Sequence, residues 1–201
     1  MSTTAKMIIV LTVITIFSGG ILSTWDGVTK PKIEAYKLQE LKKAIAEVLP
    51  KYDEYEEIHI DGLTLYIGKK TTDTTQTVGI ALEAVGNGFQ GKISIMLGLF
   101  PDFSEISGIK ILEQIETPGL GTKIVKDPSN KEDPYWFSNQ FKQLKTEPQI
   151  EVIKNVKPSK PAEIQAITGA TISSKAVVTI LNNHIQLAKK NYLSNSKSQI
   201  Q

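Results

Sequence analysis

The sequence predicts an α+β fold in which an N-terminal transmembrane helix precedes one domain with a mostly antiparallel sheet and flanking helices. Three observations support this fold class. An uncharged apolar run opens the chain, several short β-like segments with Asp-Gly or Asn-Gly turns follow, and helical periodicity appears on both sides of those segments. The 201 residues suffice for one compact domain plus an additional segment.

The apolar run, residues 7–25, is predicted to be a retained membrane anchor. As a helix it would span roughly 28 Å at about 1.5 Å per residue, close to the apolar thickness of a bilayer. A cleaved signal peptide is the alternative, but bulky Ile21 and Leu22 stand where a cleavage site needs small side chains. More lysines follow the run than precede it, and long domains translocate regardless of such charges, so the sequence alone leaves the orientation open.

The remaining elements follow in order. Residues 1–30 are assigned to the anchor and a short linker, residues 31–193 to the folded domain, and residues 194–201 to a flexible tail. Apolar spacing predicts a helix over residues 33–49, which Pro50 ends. Two hairpins over residues 57–68 and 77–100, a fifth strand over residues 105–115 and a sixth over residues 148–156 would form the sheet. A short helix over residues 135–141 and a last helix from Ser173 or Ser174 to about Tyr192 complete the domain.

Composition excludes several classes of function. The net charge is only +2 and no basic stripe is interleaved with aromatic residues, so no nucleic-acid partner is expected. The absence of cysteine excludes disulfides, thiolate nucleophiles and iron–sulfur ligation, and the two histidines argue against an imidazole-rich metal site. All positive side chains are lysines, so a phosphate site cannot rest on arginine forks. Redox chemistry on this chain would need a bound organic cofactor.

The first candidate site is the stretch ETPGLG, residues 116–121, directly after a predicted strand. Its glycines let the backbone approach a flat ligand closely, and its N–H groups could serve the acceptor atoms of a flavin. Glu116 places a carboxylate at the entry of the loop, and Lys123 places a cation beyond it. An ordinary tight loop is the alternative interpretation.

The second candidate site is the stretch ITGATISS, residues 167–174. Ser173 and Ser174 are predicted N-caps of the last helix, which would put Thr171 just outside the helix N-terminus. Unpaired N–H groups and the helix dipole favour an anion there, so a phosphate could bind without arginine. A capped helix after a plain loop is the alternative.

Together the two stretches resemble a known family. ITGATISS resembles the attachment motif of FMN-binding domains whose flavin is joined to a threonine by a phosphodiester, and ETPGLG resembles the loop that these domains place near the flavin ring. With its single N-terminal span and its length, the chain is similar to the G subunits of the Rnf electron-transport complex. The related C subunit of the sodium-translocating NADH:quinone reductase shares these features but is typically longer. The family pattern has an aspartate where this chain has Gln165.

The resemblance implies roles for individual residues. Thr171 would carry the FMN phosphate, with the rest of its motif supplied by Thr168, Gly169, Ala170, Ser173 and Ser174. The ring would be lined by Glu116, Thr117, Pro118, Gly119, Leu120 and Gly121. A separate flavin transferase, magnesium-dependent in the family, would recognise the motif, and the aspartate missing at Gln165 bears on how efficiently it does so.

The resemblance also implies a place in the cell and a task. The domain would lie on the extracytoplasmic side of the inner or plasma membrane, beside other membrane subunits of a complex that passes electrons between reduced ferredoxin and NAD and moves ions. No acid–base pair or nucleophilic triad is visible, so we expect an electron carrier that transforms no substrate itself. Two alternatives stay open: an anchored enzyme that reduces a small acceptor, and a flavin-free assembly subunit in which Thr171 only caps a helix.

Overall fold

The computed structural model describes residues 2–71 and 75–198. It confirms the predicted class, with a long N-terminal helix followed by an antiparallel sheet and further helices. The strands are β1 (Glu54–Ile60), β2 (Leu63–Thr71), β3 (Thr75–Asn87), β4 (Lys92–Leu99), β5 (Glu105–Gln114), β6 (Leu144–Lys145), β7 (Glu151–Ile153) and β8 (Glu163–Gln165). The helices are α1 (Thr3–Val48), α2 (Trp136–Asn139) and α3 (Thr171–Ser198), with a 3-10 turn at Gly121–Ile124.

Helix α1 is continuous from Thr3 to Val48, so the short linker predicted after the anchor is wrong. Pro31 lies inside the helix, where it removes one backbone hydrogen bond but keeps a φ compatible with helix, and strong helical segments on both sides carry the backbone through. Among the described residues, α1 is the one helix long and apolar enough to cross a membrane. Contacts divide the chain into two units between Glu40 and Leu41, so the last turns of α1 belong to the folded domain.

The main sheet has six antiparallel strands in the order β1-β2-β3-β4-β5-β6. The Asp61-Gly62 turn between β1 and β2 has positive φ at both residues, as expected of a two-residue hairpin with this sequence. The sixth strand is β6, not the predicted segment 148–156. That segment supplies β7, which pairs in parallel with β8 in a separate two-stranded sheet. Residues of β7 pair with residues of β8 that lie 12 positions further on, for example Glu151 with Glu163, and a parallel pairing of this kind leaves no local sequence signal.

Helices cover both faces of the main sheet. The larger core lies on the face packed by α2 and α3, which contribute side chains such as Phe137 and Leu181. A smaller core on the other face contains Ala44, Ile45 and Val48 from the end of α1. Strand β4 is therefore buried on both sides, which explains its almost continuous apolar run.

Helix α3 is longer at both ends than predicted. It extends to Ser198, into the segment predicted to be a flexible tail, while residues 199–201 lie outside the described part. Polar residues continue a helix readily once many preceding turns have nucleated it, which is why this end could not be read from composition.

Glycines on neighbouring strands make room for the end of α1. A Cβ at Gly98 would overlap the carbonyl oxygen of Val48 and lie 2.6 Å from Ser107 Oγ. The hydroxyl of Ser107 donates a hydrogen bond to this same carbonyl at 2.5 Å, which satisfies an acceptor at the helix C-terminus. Gly98 is thus required by close approach of the helix to the sheet.

We expect Gly98→Ala to lower the midpoint of thermal unfolding by about 3–10 °C, because overpacking against backbone costs about 1–3 kcal/mol. Circular dichroism of the full chain in detergent micelles measures this. Gly27→Ala is the matched control, since no neighbour lies within 4 Å of a Cβ at Gly27 and alanine favours helix. Equal midpoints for the two variants would contradict the packing argument.

Candidate functional site

The two candidate stretches meet at the carboxylate of Glu116, a side chain that is only 5% exposed. Its Oε2 accepts a hydrogen bond from the hydroxyl of Ser173 at 2.5 Å. Its Oε1 accepts the backbone N–H groups of Phe89 at 2.7 Å and of Gln90 at 3.1 Å. One side chain therefore joins the loop after β5, the turn between β3 and β4, and the first turn of α3.

Two glycines leave the space that this carboxylate occupies. A Cβ at Gly88 would overlap Glu116 Oε1, and a Cβ at Gly121 would lie 2.9 Å from Oε2 and from Ser173 Oγ. The backbone N–H of Glu116 donates to Gln114 Oε1 at 2.6 Å. Both ends of the residue are thereby fixed, and larger side chains at either glycine would displace it.

The loop beyond Glu116 is compact and projects its middle outward. The carbonyl of Thr117 accepts the N–H groups of Leu120 and Thr122, and the N–H of Gly119 donates to the hydroxyl of Thr122 at 3.0 Å. Gly119 has a φ of +73°, a conformation that glycine adopts without strain. Pro118, Gly119 and Leu120 are exposed, so this part of the loop is accessible to a ligand.

The cation beyond the loop is already paired. Lys123 Nζ lies 3.3 Å from Asp127 Oδ1 and donates to Ser129 Oγ at 3.2 Å. Hydrogen bonds from Ser129, together with those from Lys123 and from the Trp136 indole, lower the pKa of Asp127 to about 2. Lys123 therefore stabilises its own loop.

Helix α3 begins at Thr171, two or three residues before the predicted start. The carbonyl of Ala170 accepts the N–H of Ser174 at 3.0 Å, so Ala170 stands at the N-cap position. The Ser174 hydroxyl instead donates to the Ala170 carbonyl and accepts the N–H of Ile167, each at 3.0 Å. The predicted capping by Ser173 and Ser174 is wrong, because Glu116 and the preceding turn engage their hydroxyls.

Among the described residues, no side chain caps the N-terminus of α3. The first amides of a helix have no intrahelical acceptor, and the methyl group of Ala170 offers none. Thr171 is half-buried, and its hydroxyl forms no hydrogen bond among the described residues. Thr168 and Gly169 before it are exposed, and Gly169 has a φ of +82° and lies against Leu120.

We call the place where the β3–β4 turn, the loop over residues 116–121 and the first turn of α3 meet the Glu116 corner. Large apolar side chains are exposed on the segments that meet there. They come from the β3–β4 turn, the end of β5, the loop and the start of α3, and their exposed fractions lie between 46% and 67%: Phe89, Ile115, Leu120 and Ile172. Such a group of exposed apolar side chains is typical of a surface that binds a ligand or partner.

Gln165, at the end of β8, is held through its backbone. Its N–H donates to Gln140 Oε1 at 2.7 Å, and its carbonyl accepts a hydrogen bond from Gln140 Nε2 at 3.2 Å. The side chain of Gln165 is half-buried and forms no hydrogen bond among the described residues. The amide group at this position can therefore be exchanged without breaking a hydrogen bond among the described residues.

Sequence reasoning assigned both stretches to one ligand but missed the groups that hold them together. The N–H groups of Phe89 and Gln90 belong to a turn 26 and 27 residues away from Glu116. The side chain of Gln140 likewise forms hydrogen bonds with the backbone of Gln165, which is 25 residues further along the chain. The Asn87-Gly88 pair in the sequence indicated the turn that contains Phe89 and Gln90, but it predicted only a hairpin and not the hydrogen bonds to Glu116.

Known proteins resemble this chain along most of its length. The model of the FMN-binding domain family matches residues 88–186, a range that includes both candidate stretches. The G subunit of the ion-translocating oxidoreductase complex of Methanosarcina acetivorans is 30% identical over 90% of this chain and 92% of its own. The G subunit of the Na(+)-translocating ferredoxin:NAD(+) oxidoreductase complex of Acetobacterium woodii is 31% identical over 90% of each chain. The crystal structure of Shewanella oneidensis NqrC has a TM-score of 0.49 at 21% identity, covering 60% of this chain and 54% of that one.

Fold, site and comparisons define a protein with an N-terminal apolar helix and an FMN-binding domain. More particularly, the chain belongs to the family of G subunits of ion-translocating oxidoreductase complexes, and it is thus one component of a larger assembly. The resemblance to the Rnf G subunits is confirmed.

We expect Glu116→Ala to lower the free energy of unfolding by about 1–3 kcal/mol, because the buried Ser173 hydroxyl loses its acceptor, whereas the N–H groups of exposed Phe89 and Gln90 can donate to water instead. The midpoint of thermal unfolding of the full chain in detergent should fall by about 3–10 °C. Glu132→Ala, at an exposed carboxylate in the following loop, is the control and should leave the midpoint unchanged. A loss no larger than that of the control would show that Glu116 does not hold the corner together.

Proposed function

We propose that this chain is a membrane-anchored electron-carrier subunit whose FMN is joined to Thr171 by a phosphodiester. It would work in a ferredoxin:NAD oxidoreductase complex that couples electron transfer to ion translocation. The observation that carries the proposal is the hydrogen bond from Ser173 to Glu116, which brings the loop over residues 116–121 to the first turn of α3.

The residues at this corner fit the phosphate of a flavin. Thr171 offers a hydroxyl that no described residue engages, and the uncapped amides of α3 favour an anion beside it. Ala170 supplies no oxygen that would compete for those amides. When bound, FMN supplies the electron transfer, and this chain supplies position and surroundings.

Burial separates two roles among the proposed site residues. The exposed part of the loop and the exposed apolar side chains near it are available to the ring, and this group includes Thr168, Gly169, Pro118, Gly119 and Leu120, with half-buried Thr117 beside it. The buried members hold the site together: Glu116, Gly121, Ala170, Ser173 and Ser174.

The placement in a membrane complex rests on α1 and on the relatives. The Acetobacterium woodii relative is part of a Na(+)-translocating ferredoxin:NAD(+) oxidoreductase complex, which supports the same reaction here. An anchor within residues 1–30 would keep the FMN-binding domain beside the other membrane subunits and raise its effective concentration there. We place the domain on the extracytoplasmic side, where a flavin transferase would modify it.

We expect the full chain, co-expressed with a flavin transferase, to give a fluorescent flavin band after denaturing electrophoresis. Thr171→Ala should abolish the band, because the acceptor oxygen is lost, and Thr171→Ser should keep it. Thr179→Ala, at an exposed threonine two turns further along α3, is the matched control and should stay fluorescent. A dark wild-type band, with the transferase active on another acceptor, would favour the flavin-free assembly subunit.

We expect Gln165→Asp to increase the rate of flavin attachment when the transferase is limiting, since it restores the carboxylate of the family pattern. The thermal midpoint should not change, because the Gln165 side chain makes no hydrogen bond among the described residues. Gln140→Ala, which removes the backbone contacts to Gln165, should lower the midpoint instead. Unchanged attachment in Gln165→Asp would show that glutamine serves this step equally well.

A further inference from the structure

Lys175 lies one turn after Thr171 on the same side of α3. Residues four apart in a helix are neighbours, and helical side chains lean towards the helix N-terminus, so the Lys175 ammonium can reach back to the first turn. Lys175 is exposed and has no carboxylate partner among the described residues. Glu151, which lines the same groove beside α3, pairs with Lys160 at 4.0 Å.

Helix α3 brings no acidic residue to its own first turn, and the carboxylate of Glu116, which contacts this turn through Ser173, is already engaged by three hydrogen bonds. The helix sequence from Thr171 to Ser198 contains no aspartate or glutamate. An acidic residue in the first turn usually offsets the positive end of the helix dipole, and here Lys175 adds positive charge instead. The start of α3 is therefore an environment that an anion would stabilise.

We propose that Lys175 is the positioning residue for the flavin phosphate, its ammonium pairing with the phosphodiester anion on Thr171; this inference rests on the proposed function. The chain contains no arginine, and Lys123 is engaged by Asp127. Lys175 thus supplies the positive charge that arginine forks provide elsewhere.

The attachment step balances with a flavin dinucleotide as donor. A bond forms between Thr171 Oγ1 and the flavin phosphorus, and the phosphoanhydride bond breaks to release the nucleoside monophosphate. The hydroxyl proton leaves to a base of the transferase or to solvent, and nothing is oxidised or reduced. The phosphodiester keeps one negative charge, with which the Lys175 ammonium would pair.

The first test is the initial rate of flavin attachment to the detergent-solubilised full chain, with purified transferase and flavin adenine dinucleotide. Lys175→Met should slow attachment about two- to fivefold, the range expected for an exposed ion pair. Lys175→Arg should restore the rate. Lys190→Met is the matched control, at an exposed lysine near the other end of the same helix, and should leave the rate unchanged.

The second test separates a role towards the phosphate from a purely structural one. Thermal unfolding is followed by flavin fluorescence in the flavinylated chain and by tryptophan fluorescence in a Thr171→Ala background. Lys175→Met should lower the midpoint in the flavinylated chain and leave it unchanged or higher in the background without flavin. Equal shifts in both, or an attachment rate equal to that of Lys190→Met, would overturn the inference. A wild-type chain that accepts no flavin would overturn the proposed function itself, before any Lys175 variant is compared.

Discussion

The corner that carries both motifs depends on one buried carboxylate. Burying a charge in a protein is unfavourable unless hydrogen bonds compensate for the lost water, and Glu116 obtains three of them. The donors come from segments 26, 27 and 57 residues away, so the carboxylate fixes three parts of the chain at one point. Gly88 and Gly121 are the consequence, since only glycine leaves room for the carboxylate oxygens.

The same interaction explains why the start of α3 is open. Ser173 donates its hydroxyl to Glu116, and Ser174 uses its hydroxyl within the preceding turn, so neither caps the helix. Ala170 then stands where a capping side chain would normally be. What remains at the surface is the hydroxyl of Thr171, the uncapped amides and the ammonium of Lys175. The internal hydrogen bonds thus leave these groups without a partner among the described residues.

A second constraint acts on the opposite face of the sheet. The last turns of α1 approach the strands so closely that Gly98 cannot carry a Cβ, and Ser107 binds the terminal carbonyl of the helix. The helix that contains the apolar segment is therefore built into the domain core at its C-terminal end. The sheet is covered by the end of α1 on one face and by α2 and α3 on the other, and the candidate site lies among the turns and loops at its end.

The apolar helix, the first five strands and the two motifs could be predicted from the sequence, because they depend on local periodicity, turn chemistry and short spacing. Asp61-Gly62 predicts a hairpin turn from two residues, and ITGATISS carries the family resemblance within eight residues. Four features could be learned only from the folded chain: the continuity of α1 through Pro31, the pairing of β7 with β8, the start of α3 and the partners of Glu116. Each of these depends on groups that are distant in sequence, or on a balance between local preference and packing. For the same reason Ser173 and Ser174, which the local pattern predicts as helix caps, donate their hydroxyls to Glu116 and to the Ala170 carbonyl instead.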